Sequence, residues 1–177
     1  AGRAATDAAR RIAGENDLLV SYDPNYRARL WPNERAARER ILEGFEGATL
    51  AKVSDEEWAF ILGTEDFDSG AERLLSMGVE LVVRSEGAAG ASFAAAAAAG
   101  RADGFAVEAV EATGSGDGFV GSLLVDLLAA ERRPGDLPAG VLERIVRRAN
   151  AVGALATIRP GAIPALPTAE QVDRFLR

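Results

Sequence analysis

The chain has 177 residues, of which 48% are hydrophobic and 27% charged, so it can bury one sizeable core; we expect a single globular domain over residues 1–177. Its formal net charge of −7 argues against binding to nucleic acid or to a membrane surface, because neutralising phosphates needs a basic face. The sequence has neither cysteine nor histidine, which excludes disulfides, thiol catalysis and the commonest general base.

The chain opens with a polar amphipathic stretch instead of the apolar core of a secretory signal. Elsewhere no stretch, including the alanine-rich residues 91–99, is long and apolar enough to be a membrane span. We therefore expect a cytoplasmic protein.

Hydrophobic spacing in the first half of the chain predicts helices and strands in alternation. We expect a helix over residues 4–12, a strand over 18–22, a helix over 34–45 capped by Asn33, a strand over 48–53, a helix opened by residues 54–57, a helix over 69–77 ended by Gly78, and a strand over 80–84.

The second half of the chain begins with an ambiguous segment. Alanine favours helix over strand, yet Gly90 and Gly100 leave little room for a helix, so we expect strands over residues 91–97 and 104–109, separated by a turn at 100–103. Three helices should follow, over residues 117–130, over 141–156 and from Thr168.

Strands alternating with helices indicate an α/β fold with a largely parallel sheet and helices on both faces. Ligands bind such sheets beyond the carboxyl ends of the strands. The predicted loops at residues 23–27, 54–57, 85–90 and 112–117 all fall on that edge.

The clearest candidate for chemistry is residues 114–117, Gly-Ser-Gly-Asp, which follow a predicted strand and open an apolar helix. The free N–H groups of a helix start point at one spot, and glycine allows a phosphate to come close. Asp117 could then accept a proton from an attacking hydroxyl. The alternative is a glycine-rich turn in which Asp117 is only the helix N-cap, and so short a motif does not decide between them.

Residues 111–117, Glu-Ala-Thr-Gly-Ser-Gly-Asp, resemble the D-T-x-G-A-G-D hallmark of the ribokinase/PfkB carbohydrate kinase family, in particular its fructokinase-like and 2-keto-3-deoxygluconate-kinase-like members. Glu111 and Ala112 depart from the hallmark, in a part of the loop that helps to build a monovalent-cation site in some relatives. By this resemblance Asp117 is the catalytic base, and the N–H groups of Gly114, Ser115 and Gly116 hold the transferring phosphoryl group.

Four further segments occur in the order of the same family. They are residues 23–27 with 30–31, which resemble D-P-N-x-R…L-W; residues 52–57, which resemble K-x-S-x-x-E; residues 84–90, which resemble the T-x-G-x-x-G turn along the nucleotide; and residues 149–162, which resemble the helix and loop around adenine. The roles that the resemblance implies are contact with sugar or phosphate for Arg27, support of Mg²⁺ for Glu57, and nucleotide binding for Arg84, Ser85, Gly87, Gly90, Asn150, Ala154 and Gly161.

The resemblance implies a ribokinase-like three-layer α/β/α sandwich and an ATP-dependent kinase acting on a small sugar or sugar acid, with Mg²⁺ and, in some relatives, a monovalent cation. It also implies that this chain is the C-terminal portion, with the first strands and the lid missing. The sheet edge exposed in that way would be covered by a partner chain or by formation of a homodimer.

Each segment alone also fits a plain structural role, such as a turn at Asp23-Pro24-Asn25 or a solvated acidic helix start at Glu56 and Glu57. Their joint occurrence in family order favours the kinase. A non-catalytic nucleotide- or phosphate-binding module of the same fold, truncated or engineered, is the main alternative. A purely structural domain is the third.

Overall fold

The computed structural model describes residues 2–177, with side chains from Ala4 onward. The chain divides into two compact units, one ending at Arg84 and the other running from Ser85 to Arg177. The elements of the first unit are α1 (Gly2–Glu15), β1 (Ser21–Tyr22), α2 (Glu34–Phe45), β2 (Leu50–Ser54), α3 (Asp55–Leu62), α4 (Phe67–Ser76) and β3 (Leu81–Ser85).

Strand β2 lies between β1 and β3 and is the best buried of the three. β1 runs parallel to β2, with Ser21 opposite Leu50. The start of β3 is tied to the start of β2, because the N–H groups of Glu80 and Leu81 both donate to the Thr49 carbonyl oxygen. β1 is shorter than the strand predicted over residues 18–22, since Leu18 is 56% exposed and contributes little to the core.

The helix starts of the first unit follow local side-chain signals. Asn33 caps α2 as predicted, with its Oδ1 2.8 Å from the N of Ala36. Ser54 and Glu57 form a capping box at the start of α3. α4 begins at Phe67, two residues before the predicted start, because Asp66 accepts a hydrogen bond from the N–H of Ser69 at 2.8 Å.

The second unit combines a β-hairpin with helices. Its elements are β4 (Gly90–Ala95), β5 (Ala98–Asp103), α5 (Ser115–Ala129), α6 (Ala139–Thr157) and α7 (Ala169–Phe175). α6 packs against α5 on one side and against the hairpin on the other. The core between them contains Phe93, Leu123 and Val146, all at most 1% exposed.

The hairpin corrects one prediction. Residues 100–103 are not a turn and residues 104–109 are not a strand; instead β4 and β5 pair antiparallel, with Ala95 opposite Ala98 and Phe93 opposite Gly100. The chain therefore turns at Ala96 and Ala97, and alanine carries no turn signal that a sequence argument could use. Ala94, Ala95 and Ala98 are buried in the hairpin, which packs against α6, and this tertiary packing outweighs the helical propensity of alanine.

No helix within residues 2–177 is long and apolar enough to span a bilayer.

Candidate functional site

The glycine-rich turn, residues 111–117, leads directly into α5. Gly114 is the N-cap residue and has φ +82°, a left-handed conformation that suits glycine. Asp117 is therefore the third residue of the helix and not its cap, so the alternative role suggested by the sequence is wrong. Ser115 donates its N–H to the Ala112 carbonyl, whereas none of the described backbone hydrogen bonds uses the N–H of Gly116 or Asp117.

Asp117 and Gly116 are exposed at this helix start. The positive end of the helix dipole and the N–H groups of the first turn favour an anion there. The carboxylate and the N–H groups thus face the same solvent region from adjoining residues. The turn does not follow a strand as predicted, because the residues between β5 and α5 are irregular.

The glycine-rich turn is packed against the loop that follows α6, residues 158–162. A Cβ on Gly114 would lie 3.1 Å from the Cα of Ala162, so the two backbones approach closely. The Glu111 carboxylate accepts a hydrogen bond from the N–H of Gly161 at 2.9 Å. Hydrogen bonds from the Thr113 side chain and from Gly161 lower the pKa of Glu111 below its usual value.

Ser115 adds a link from the turn to the C-terminal part of α6, since its Oγ donates to the Gly153 carbonyl oxygen at 3.0 Å. Ala154 lies beside this contact, and its carbonyl accepts the Thr157 hydroxyl at 2.7 Å. The structure therefore brings Gly114, Ser115, Ala154 and Gly161 into one region. The nucleotide-contacting roles of Ala154 and Gly161 stay predictions.

Asn150 lies on α6 but faces away from solvent, at 8% exposure. Its Nδ2 donates to the carbonyl oxygens of Ala102 at 3.0 Å and Asp103 at 3.2 Å. The side-chain amide thus fixes α6 to the end of β5. A nucleotide contact at this position would have to come from the backbone or from neighbouring residues.

The segment 84–90 spans the boundary between the two units. The Arg84 guanidinium donates to the Glu65 carbonyl oxygen at 3.0 Å and lies 5.4 Å from the Trp58 ring centroid and 5.1 Å from that of Phe67. Because of these contacts in the first unit, fewer donors of the Arg84 guanidinium are left to bind a phosphate. Ser85 ends β3, and its nucleotide role stays a prediction.

The two glycines of this segment differ in their surroundings. Gly87 has φ +57° and open space where a Cβ would be. Gly90 has φ +112°, and a Cβ there would overlap the Ala102 carbonyl oxygen. Glu86, which the sequence argument missed, accepts hydrogen bonds from Ser92 at 2.7 Å and from Arg101, and so braces the turn against the hairpin.

In the first unit, the segment 23–27 follows β1. Asp23 pairs with Lys52 of β2, with 3.2 Å between Oδ2 and Nζ, and its Oδ1 accepts the N–H of Asn25 at 3.2 Å. Burial raises the pKa of Asp23, although Lys52 opposes the shift. Arg27 is exposed, and among the described hydrogen bonds its Nη1 donates to the neighbouring Tyr26 carbonyl, at 3.0 Å, so the guanidinium can reach a ligand.

Glu57 connects this segment to α3. One carboxylate oxygen accepts from the N–H of Ser54 at 3.2 Å and from its hydroxyl at 2.7 Å, and the other accepts the N–H of Tyr26. With both oxygens engaged, Glu57 fits an indirect contact to Mg²⁺ through water better than direct ligation. Within residues 2–177 no three acidic, histidine or cysteine side chains form a group that could hold a metal ion.

Comparison with known proteins identifies the family. The model of the family described as "pfkB family carbohydrate kinase" matches residues 3–169. The chain belongs to the pfkB family of carbohydrate kinases.

Relatives of this pfkB-family chain include fructokinases. It is 38% identical over 172 residues to probable fructokinase-4 of Arabidopsis thaliana, covering 96% of this chain and 52% of that protein. A crystal structure of fructokinase from Vibrio cholerae O395 with fructose, ADP and calcium bound superimposes with a TM-score of 0.89 at 33% identity, over 99% of this chain and 56% of that one. A putative ribokinase II from E. coli in complex with ATP and Mg²⁺ gives a TM-score of 0.83 at 25% identity, over 97% of this chain and 53% of that one.

These similarities confirm the predicted fold class, a ribokinase-like three-layer α/β sandwich with a mostly parallel sheet. The pfkB-family chain spans about half the length of the curated relatives that it matches.

Proposed function

We propose that the chain is the nucleotide-binding part of an ATP-dependent sugar kinase. The kinase would transfer the γ-phosphate of ATP to a hydroxyl of a small sugar or sugar acid, of the fructose or 2-keto-3-deoxygluconate type. The observation that carries the proposal is the exposed Asp117 carboxylate beside the N–H groups of Gly116 and Asp117, which donate in none of the described backbone hydrogen bonds. The names of the relatives support it: fructokinases, and a solved structure with fructose and ADP bound.

In the proposed reaction, the oxygen of the sugar hydroxyl attacks the γ-phosphorus of ATP, and Asp117 accepts the proton of that hydroxyl. The bond between that phosphorus and the bridging oxygen breaks, and ADP leaves with the bond electrons. Of the N–H groups at the start of α5, from Gly114 to Gly116, those of Gly114 and Gly116 would hold the oxygens of the phosphoryl group as it transfers, while that of Ser115 also donates to the Ala112 carbonyl. The left-handed Gly114 places no side chain in that space.

We assign the nucleotide to the 158–162 loop, where Gly161 lies, to the face of α6 that carries Ala154, and to the turn containing Ser85, Gly87 and Gly90. Arg84 and Asn150 complete the proposed set, with the qualification that both side chains already have partners within the protein. The sugar would contact Arg27, which is exposed and follows Tyr26, whose N–H is held by the Glu57 carboxylate.

Mg²⁺ bound with ATP supplies positive charge to the transferring phosphoryl group. Since the described residues contain no group of three metal-ligating side chains, such an ion would depend on the phosphates for most of its ligands, with Glu57 orienting water beside it. The monovalent cation fits less well. Glu111 stands where the family hallmark has aspartate, and its carboxylate is already engaged by Gly161 and Thr113.

The test is release of ADP from ATP–Mg²⁺ in the presence of fructose or 2-keto-3-deoxygluconate. We expect Asp117→Asn to lower the rate by about 100-fold or more, because removing a general base costs at least that much, with ATP affinity nearly unchanged. Asp68→Asn, an exposed aspartate in the first turn of α4, is the matched control. An unchanged rate in Asp117→Asn would disprove the assignment of the base.

A second candidate is a nucleotide-binding module without turnover. It is favoured by the departures from the family hallmark at Glu111 and Ala112. Calorimetric titration with ATP–Mg²⁺ separates the two, because a module would bind ATP without any sugar-stimulated release of ADP. The predicted cytoplasmic location and homodimer stay predictions.

A further inference from the structure

Glu111 is the one residue of the glycine-rich turn whose side chain reaches across to the 158–162 loop in the described hydrogen bonds. Its Oε2 accepts the N–H of Gly161 at 2.9 Å, across 50 residues of sequence, and the Thr113 hydroxyl binds the same carboxylate. Glu111 thus holds a residue of its own turn and a residue of the loop at once.

The backbone leading into Glu111 is fixed independently of its side chain. The N–H groups of Val110 and Glu111 donate to the Thr157 carbonyl oxygen at 2.7 and 3.1 Å. These bonds anchor the last residue of α6, so the carboxylate starts from a fixed position. The length of the Glu111 side chain then decides which residue of the 158–162 loop its carboxylate can bind.

The 158–162 loop itself has few other restraints. Residues 158–160 are exposed, and the adjoining Ile163 is 82% exposed. Gly161 has φ +100°, a conformation that most residues disfavour. Close packing of Ala162 on Gly114 fixes the end of the loop. The Gly161 N–H is held by a side chain, that of Glu111.

The engaged carboxylate also bears on the monovalent cation. A monovalent cation beside Glu111 would bind most strongly to a carboxylate oxygen that accepts no hydrogen bonds. The low pKa of Glu111 keeps the group charged at neutral pH, and a charged acceptor makes the stronger hydrogen bond. The two donors thus occupy acceptor positions of the carboxylate for which a cation would have to compete.

We propose that Glu111 is a positioning residue for the nucleotide: its carboxylate, bonded directly to Gly161 and Thr113, holds the 158–162 loop on the glycine-rich turn without a monovalent cation. The identity of the ligand rests on the proposed function, whereas the link between turn and loop does not.

Two measurements on the chain test the proposal separately. Hydrogen exchange of the Gly161 amide, without nucleotide, reports the link itself. Calorimetric affinity for ATP–Mg²⁺ reports positioning, and is measured in KCl and in choline chloride at equal ionic strength. The variants are Glu111→Ala, Glu111→Gln and, as the matched control, Glu108→Ala, which removes an exposed carboxylate three residues earlier.

We expect Glu111→Ala to speed exchange at Gly161 and to weaken ATP binding by about tenfold, the usual effect of losing a charge-assisted hydrogen bond. Glu111→Gln should retain most of both, since its side-chain oxygen can still accept from Gly161, and Glu108→Ala should match the unmodified chain. ATP affinity of the unmodified chain should be equal in the two salts.

Unchanged exchange in Glu111→Ala would overturn the link. Faster exchange with unchanged ATP affinity would overturn the positioning role. An affinity that requires KCl would overturn independence from the cation. A chain that binds no ATP in any salt would refute the proposed function, while the exchange result would still decide whether the link exists.

Discussion

Lys52, the only lysine of the chain, lies with its Nζ 3.2 Å from the Oδ2 of Asp23, and its side chain is 8% exposed. The pair joins Asp23, the residue after β1 and the first of the segment 23–27, to the middle of β2. Burial and the charge of the nearby Glu57 both raise the pKa of Asp23, and the Lys52 ammonium opposes them.

Replacing Lys52 by methionine should leave Asp23 partly buried without its partner. Because an uncompensated buried charge is costly, we expect the free energy of unfolding to fall by about 2 kcal/mol in urea denaturation. The double variant Lys52→Met/Asp23→Asn should recover part of the loss. No recovery would show that the lysine acts through packing of its stem instead.

The same pair predicts a dependence on pH. The pKa of Asp23 is raised in the folded chain, so the proton is bound more tightly there than in the unfolded chain. Its contribution to stability is therefore complete below the unfolded pKa and is lost as pH rises through the raised folded pKa. In Lys52→Met the pKa should rise further, which carbon-detected NMR of the Asp23 carboxyl would measure. A pKa that falls in the variant would contradict this account.

Glu57 should be needed to hold the segment 23–27. Glu57→Ala removes the acceptor of the Tyr26 N–H and half of the capping box, so we expect faster hydrogen exchange at Tyr26 and a loss of about 1–2 kcal/mol in stability. Glu56→Ala is the control, since Glu56 is exposed in the same helical turn. Equal exchange at Tyr26 in the two variants would contradict the bracing role.

Gly90 and Gly87 should respond differently to alanine. In Gly90→Ala the new Cβ would overlap the Ala102 carbonyl and stand at φ +112°, so we expect a loss of about 3 kcal/mol or more. Gly87→Ala should lose only about 1 kcal/mol, the usual strain of a left-handed residue in open space. Urea denaturation of both variants is the measurement, and similar losses would show that the turn can shift away from β5.

Asn150 should act chiefly on stability. We expect Asn150→Ala to cost about 1–3 kcal/mol, because the carbonyl oxygens of buried Ala102 and of Asp103 both lose the Asn150 donor. Asn150→Asp should lower the stability further as pH rises, because an ionised carboxylate would face the same two carbonyl oxygens. If Asn150→Ala left stability unchanged but weakened ATP binding, the side chain would belong to the nucleotide site.

The parts of the structure that the sequence predicted well depend on local signals. Asn33 and Thr168 start their helices as expected, because a cap side chain accepts a hydrogen bond from the N–H only three residues later. The hairpin was misplaced, since Ala96 and Ala97 resemble the strands around them. Glu111 could be noticed only as a departure from a motif, because its partner Gly161 lies 50 residues away.

The β4–β5 hairpin also shows where its alignment is encoded. The side chains of the alanine run are identical, so they scarcely favour one register of β4 against β5 over another that is shifted along the strand. The Phe93 ring covers Gly100 on the opposite strand, where a Cβ would come within 2.7 Å of the ring. A single aromatic residue seated on a single glycine therefore carries much of the information that sets the register of the whole hairpin.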